Sequence, residues 1–273
     1  MKKIRSEILE MTICEDFGGK IISFKDSSKE YLFLGNSKIK PDSDSLFESG
    51  FDYGLDECFP TIDQCLFLGV NYKDHGDLWR SSWDLSFKEN SFTGRAYSNT
   101  SKLNFKRVVT LEKNKARFDY EIENKNNHIS YFLYTLHPLF NFDPDSYFSL
   151  PFDKYKIFNV KGMDELKEKD ICELRSYESG KTYKFYNDQI LKNNKARIFY
   201  PAVKKVLSLE FDKNILPYFA IWISKEKGKE NMALEPSNGF YDRLDRAVGN
   251  GLKPIKPHEK ISFTTKIKIE RMD

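Results

Sequence analysis

Ala116-Arg117-Phe118-Asp119-Tyr120-Glu121-Ile122-Glu123 sets an apolar or aromatic side chain at every second position and a charged one between each pair. Successive side chains of an extended backbone face opposite ways, so this stretch predicts a strand with one dry face and one wet face. The same period returns near the C-terminus, where Ile261, Phe263, Thr265, Ile267 and Ile269 alternate with polar partners. Working outward, Arg107-Val108-Val109-Thr110-Leu111 and Ile129 to Leu136 also read as strands. The polar turns Lys113-Asn114-Lys115 and Asn124-Lys125-Asn126-Asn127 join them to the first stretch. Lys106 to Phe142 therefore predicts a three-stranded meander with His137 at the far end of its last strand. Met11 to Cys14 and Ile21 to Phe24 flank Gly18-Gly19 and predict a hairpin near the start.

Helix signals are few. Asp164 to Arg175 has helix-favouring Glu, Leu and Lys but is interrupted by Asp170 and Cys172, and Gly239 to Val248 could hold one short helix. The expectation is an all-β chain, residues 1–273 forming one sandwich domain, with a less regular excursion over 143–200. The 23 Phe and 15 Tyr supply a long core and flat faces on which a ring could stack. Basic and acidic side chains nearly cancel, at +3 over the whole length, so no field that would gather nucleic acid is implied. Cys14, Cys58, Cys65 and Cys172 form no CxxC pair and fit neither a zinc knuckle nor a disulfide framework, which predicts buried reduced thiols. The N-terminus reaches acidic residues within ten positions without an apolar stretch, and no run of 18 apolar residues follows. A cytoplasmic protein with no membrane partner, acting as a monomer or homodimer, is expected. GxGxxG, Walker, HExxH and GxSxG motifs are absent, which lowers the prior for nucleotide and serine-hydrolase chemistry.

Three short segments carry chemistry. Asp74-His75-Gly76-Asp77-Leu78-Trp79-Arg80 combines an aromatic face with forked donors and acceptors, the mixture that a pyranose with its apolar CH side and hydroxyl rim asks for. Leu136-His137-Pro138 presents a histidine held extended by the following proline. Ala233-Leu234-Glu235-Pro236-Ser237-Asn238-Gly239 presents a carboxylate just before a turn. Histidine plus glutamate is a minimal set for moving protons near neutral pH. A fourth segment, Phe51 to Ile62, is turn-rich and offers Asp56 or Glu57 as acceptors for hydroxyls on the wall of a cleft.

Taken together these segments resemble the galactose mutarotase-like superfamily of aldose 1-epimerases and the related hexose-6-phosphate epimerases. That family has a first histidine in a D-H-G-like stretch, a second in an H-x-x-F-like stretch and a late glutamate in a [V/L]-E-P-like stretch. His75, His137 and Glu235 match them in this order. Gly54-Leu55-Asp56-Glu57-Cys58-Phe59-Pro60-Thr61 also looks like the family's early loop, so the resemblance runs from about Leu9 to Ile269. It implies a large antiparallel β-supersandwich and a cofactor-independent isomerase. In the implied reaction Glu235 takes the proton from the anomeric hydroxyl while protonated His137 donates to the ring oxygen. The ring opens, C1–C2 rotates, and reclosure gives the other anomer. His75, Arg80, Asp56, Glu57, Trp79 and Trp222 would bind the sugar, and no metal is required. The family also places an arginine before the first histidine and an aspartate between the second histidine and the glutamate. Here no Arg lies between Arg5 and Arg80, and Asp143 and Asp212 are the candidates for the aspartate.

Three other readings use the same residues. A carbohydrate-binding protein on this fold would keep the cleft without turnover. A metal-dependent enzyme would use His75, His137 and a carboxylate such as Glu57 or Glu235. A glycoside hydrolase or lyase would need Asp56 or Glu57 to face Glu235 across the scissile bond.

Overall fold

The structure, a computed structural model, describes residues 1–35, 39–152, 154–156, 168–170, 182–225, 228 and 230–272. The strands of the N-terminal part are β1 (Lys2–Arg5), β2 (Glu10–Ile13), β3 (Ile21–Lys25), β4 (Leu55–Cys58), β5 (Cys65–Phe67), β6 (Val70–Tyr72) and β7 (Asp84–Phe87). The central part adds β8 (Ser91–Ser98), β9 (Leu103–Glu112), β10 (Lys115–Glu123), β11 (Thr135–Asn141), β12 (Tyr147–Ser149), β13 (Lys154–Lys156) and β14 (Glu168–Asp170). Then come β15 (Thr182–Asn187), β16 (Lys195–Tyr200), β17 (Lys205–Phe211), β18 (Tyr218–Ser224), β19 (Asn231–Ser237), α1 (Leu244–Gly249) and β20 (Lys260–Arg271).

Two large antiparallel sheets pack face to face. One runs β1-β2-β3-β4-β11-β19-β18-β15-β13-β14 and the other β12-β16-β17-β20-β10-β9-β8-β7, with β5 and β6 as a separate hairpin. Their facing sides interdigitate into a continuous core. Phe105, Val109, Phe118, Tyr120, Ile122, Phe263 and Ile267 come from the eight-stranded sheet, and Leu55, Leu136, Phe140, Ile221, Ile223 and Leu234 from the ten-stranded one. Each such side chain, fully withdrawn from water, contributes about 1.5–3 kcal/mol. No helix of the described residues is long and apolar enough to cross a membrane.

The alternating stretches at 116–123 and 261–269 are strands, as expected, and they pair with each other, Tyr120 opposite Phe263. The hairpin at 11–24 and a short helix within 244–249 also form. Cys14, Cys58 and Cys65 are buried and unbridged, while Cys172 lies outside the described residues.

Two expectations are corrected. The meander stops after two strands, because β20 takes the free edge of β10 with a matching apolar face. At the predicted second turn Asn124 instead ties the chain down, its Nδ2 donating to the carbonyls of His128 and Ile255. The chain then crosses to the other sheet, and His137 lies inside β11 rather than at the end of a strand from 129 to 136. Within the helix-favouring but interrupted stretch 164–175, the described residues 168–170 are the strand β14, drawn into the sheet edge by antiparallel pairing with β13.

One charged contact crosses the dry interior. Arg107, on the apolar face of β9, donates from one guanidinium nitrogen to both oxygens of Glu57 on β4, at 2.5 and 2.7 Å. Its other terminal nitrogen donates to the carbonyl of Gly19, where a Cβ would collide with Trp83. Tyr120 donates to the same carboxylate at 3.1 Å, and the guanidinium lies over Trp83 and Phe92. Both side chains are essentially sealed from water. Removing one partner of such a pair strands a buried charge. Arg107→Met is therefore expected to lower the unfolding free energy by about 3–5 kcal/mol in urea titrations. Adding Glu57→Met should recover most of that loss, and a single variant as stable as the wild type would show that the pair does not hold the sheets.

Candidate active site

The outward face of the ten-stranded sheet carries the site. In β4, β11 and β19 the residues Leu55, Leu136 and Leu234 enter the core, so Asp56, His137 and Glu235 point to the opposite face. Register then aligns them. His137 stands opposite Asp56, and the pairs Thr135–Ser237 and Leu139–Ala233 put Glu235 opposite His137 on the other side. Both residues precede a proline, which has no N–H to give, and the registered pairing of β11 with β19 lapses between those two pairs. Thr135 Oγ1 donates to the Pro236 carbonyl at 3.0 Å in the gap.

His137 Nε2 is 3.9 Å from Glu235 Oε1. The other carboxylate oxygen, Oε2, accepts from Lys184 Nζ at 2.6 Å. Lys184 is on β15 and reaches across β18, where the small Ala220 is the residue opposite Glu235. Glu235 is fully buried, and its Oε1 has no hydrogen-bond partner; the same holds for His137 Nδ1. Burial holds the His137 ring well below its ordinary pKa, and the nearby Lys184 and Lys20 ammoniums add to the effect. His137 is therefore uncharged in the free protein near neutral pH.

His75 arrives from a loop whose shape depends on two successive left-handed residues, His75 at φ 56° and Gly76 at φ 71°. A Cβ on Gly76 would sit 1.9 Å from the Phe59 carbonyl oxygen, so glycine is required there. The His75 Nδ1–H donates to Asp74 Oδ2 at 2.7 Å. Burial works to raise the Asp74 carboxyl, but the hydrogen bond from His75 and the nearby Lys184 and Arg80 charges outweigh it and hold the group low. Phe47 stacks on His75 at 4.0 Å between ring centres and meets His137 edge-on at 5.5 Å, while the two imidazoles are 5.0 Å apart. Cys58 Sγ and one ring nitrogen of each histidine lie within 4.8 Å of one another.

His75, His137 and Glu235, far apart in the chain, are thus brought together. Asp56 joins the same face but is engaged by Lys20, whose ammonium also donates to the Phe51 carbonyl at 2.7 Å. Trp222 is partly exposed on that face, next to Lys184 and Ala233 in register. Three other expected sugar contacts are directed elsewhere. Glu57 is one position out of phase with Asp56 and so faces the core and Arg107. Trp79 is 1% exposed, packed under Phe47 and Phe51, and shows no free ring face. The two terminal nitrogens of Arg80 donate to the carbonyls of Ser43, Ser45, Asp74 and Gly76, binding the 43–45 loop to the His75 loop. Asp143 pairs with Lys29, and Asp212 supports a turn through Asn214 and Leu216, so neither reaches the site. Sequence reading missed Lys20, Phe47, Cys58 and Lys184. For Lys184 the signal was its alternation with Tyr183 and Phe185, which puts a lysine on one face of a strand inside a stretch read as irregular.

No family model matches the sequence, and no curated protein matches it. Solved structures do match in shape. The Slr1438 protein from Synechocystis sp. PCC 6803 superposes with a TM-score of 0.80 at 15% identity, covering 99% of this chain and 95% of that one. A galactose mutarotase-like protein from Lactobacillus casei gives 0.72 at 17% identity, covering 99% and 100%. The GalM/aldose epimerase homologue from C. elegans gives 0.69 at 13%, covering 99% and 98%. With two antiparallel sheets in this order and these neighbours, the chain has the galactose mutarotase-like β-sandwich fold.

Proposed function

We propose that this protein is an aldose 1-epimerase-like isomerase that interconverts the α and β anomers of a hexose or related sugar. The observation that carries the reading is the Glu235 carboxylate. Lys184 holds one of its oxygens, while the other is bare, buried and 3.9 Å from His137 Nε2. A bare carboxylate oxygen beside an imidazole is a base and an acid within reach of two oxygens on one ring carbon.

In the opening step Glu235 Oε1 takes the proton of the anomeric O1–H. The O1 electron pair closes to a carbonyl, the C1–ring oxygen bond breaks, and the ring oxygen takes a proton from His137. Burial keeps the ring neutral in the free protein, so the imidazolium that serves this step takes its proton from solvent before the ring opens, is stabilised by the adjacent Glu235 carboxylate, and is regenerated on reclosure. Rotation about C1–C2 presents the other carbonyl face, and on reclosure His137 takes back the ring hydroxyl proton while Glu235 returns its own. His75, fixed by Asp74, has its Nε2 lone pair available to a sugar hydroxyl. Trp222 and Asp56 are the remaining sugar-facing candidates. Arg80 is bound to loop carbonyls, Arg95 pairs with Asp84 and Arg243 with Asp245, which favours a neutral sugar over a phosphosugar.

Polarimetry of freshly dissolved α-glucose and α-galactose tests the reading. Wild-type protein is expected to accelerate the approach to rotational equilibrium. Glu235→Gln should lose that acceleration while still binding the sugar, because the amide keeps the shape without the base, and His137→Ala should also lose it. Saturable binding with no acceleration would identify a carbohydrate-binding protein instead.

Lys184→Met removes the group that fixes the carboxylate. It is expected to lower kcat by about 10²–10³-fold, the scale of losing one aligned proton-transfer group, with a smaller change in KM. Lys184→Arg should recover part of the rate, and an unchanged kcat in Lys184→Met would remove Lys184 from the mechanism.

A further inference from the structure

The geometry points to a second occupant of this cleft: we infer that Cys58, His75 and His137 form a three-ligand site for a thiophilic divalent cation of the zinc type. The three donor atoms come from three separate parts of the chain and lie within 4.8 Å of one another. In a tetrahedral zinc site, with metal–sulfur bonds near 2.3 Å and metal–nitrogen bonds near 2.0–2.1 Å, donor atoms stand about 3.5 Å apart. Closing the cluster on an ion thus takes shifts of about an ångström. Two sulfur- and nitrogen-donor residue types with no carboxylate among them suit zinc or cobalt and not magnesium or calcium.

Two further observations point to a ligand. His137 Nδ1 is a buried ring nitrogen without a partner. His75 is oriented as metal-bound histidines are, with Nδ1–H donated to the Asp74 carboxylate and the Nε2 lone pair left available. Cys58 is fully buried on the same face as His137, two residues beyond Asp56, so its thiol cannot be withdrawn to solvent. It would bind as thiolate, releasing its proton on coordination. With three protein ligands the fourth position is open to water. The site uses both histidines of the candidate cleft, so an ion held there occupies the same groups. The inference does not rest on the epimerase reading.

The test is titration of chelator-treated full-length protein with cobalt(II), followed by absorbance and without sugar. One equivalent is expected to bind, with the visible bands of tetrahedral cobalt and a near-ultraviolet thiolate-to-cobalt charge-transfer band. Cys58→Ser should lose the charge-transfer band, whereas Cys14→Ser and Cys65→Ser keep it. Asp74→Asn should weaken binding by about 10–100-fold through loss of the orienting carboxylate. Absence of both sets of bands in the wild type, or a charge-transfer band that survives Cys58→Ser, would overturn the site. Because the spectra are read without sugar, a protein that fails to accelerate mutarotation can still bind cobalt as described, and the two failures are told apart.

Discussion

The two-residue alternation of β4, β11 and β19 is the constraint on which the remainder of the molecule rests. In each strand one residue enters the core and its neighbour faces outward: Glu57 and Asp56, Leu136 and His137, Leu234 and Glu235. A slip of one residue in any of them would bury the site's polar group between the sheets and turn a core side chain out to water. The burial that stabilises the sandwich therefore also fixes which groups meet on the outer face. Because strands in a ladder stand only about 4.8 Å apart, His137 and Glu235, nearly a hundred positions apart in the chain, are held with Nε2 3.9 Å from Oε1.

Burying so many charges requires that each be matched. Arg107 answers Glu57 inside the core, Lys20 answers Asp56 and Lys184 answers Glu235 on the outer face. Each pair offsets the desolvation of its partner, which unpaired would cost several kcal/mol. Glu235 Oε1 and His137 Nδ1 are left without partners in a protein that satisfies most of its other buried polar atoms, and such gaps are where substrates and ions find their contacts. The prolines after His137 and Glu235 add to this by interrupting the ladder at the site, on strands whose other residues are firmly paired.

Aromatic residues shape the entrance. Phe47 covers His75 and touches His137, and Trp79 and Phe51 support it from beneath. Arg80 ties that loop to the His75 loop through backbone carbonyls and so sets loop geometry. The arrangement couples the position of His75 to the packing of the 43–51 segment.

From sequence alone the all-β class, the strands at 116–123 and 261–269, the first hairpin and the short helix near 244 were legible, because alternation and turn chemistry are local properties. So was the grouping of His75, His137 and Glu235, through their resemblance to a known motif order. Only the tertiary structure decided that β10 pairs with β20 and not with the chain that follows it, since edge pairing depends on which distant strand offers a matching face. It also decided that Asp56 faces the cleft while Glu57 faces Arg107: adjacent carboxylates look alike in sequence, and the phase of a short strand is set by its neighbours. The roles of Lys184, Cys58 and Phe47 were hidden for the same reason. What each side chain does is determined by the charge, thiol or ring that another strand brings to it.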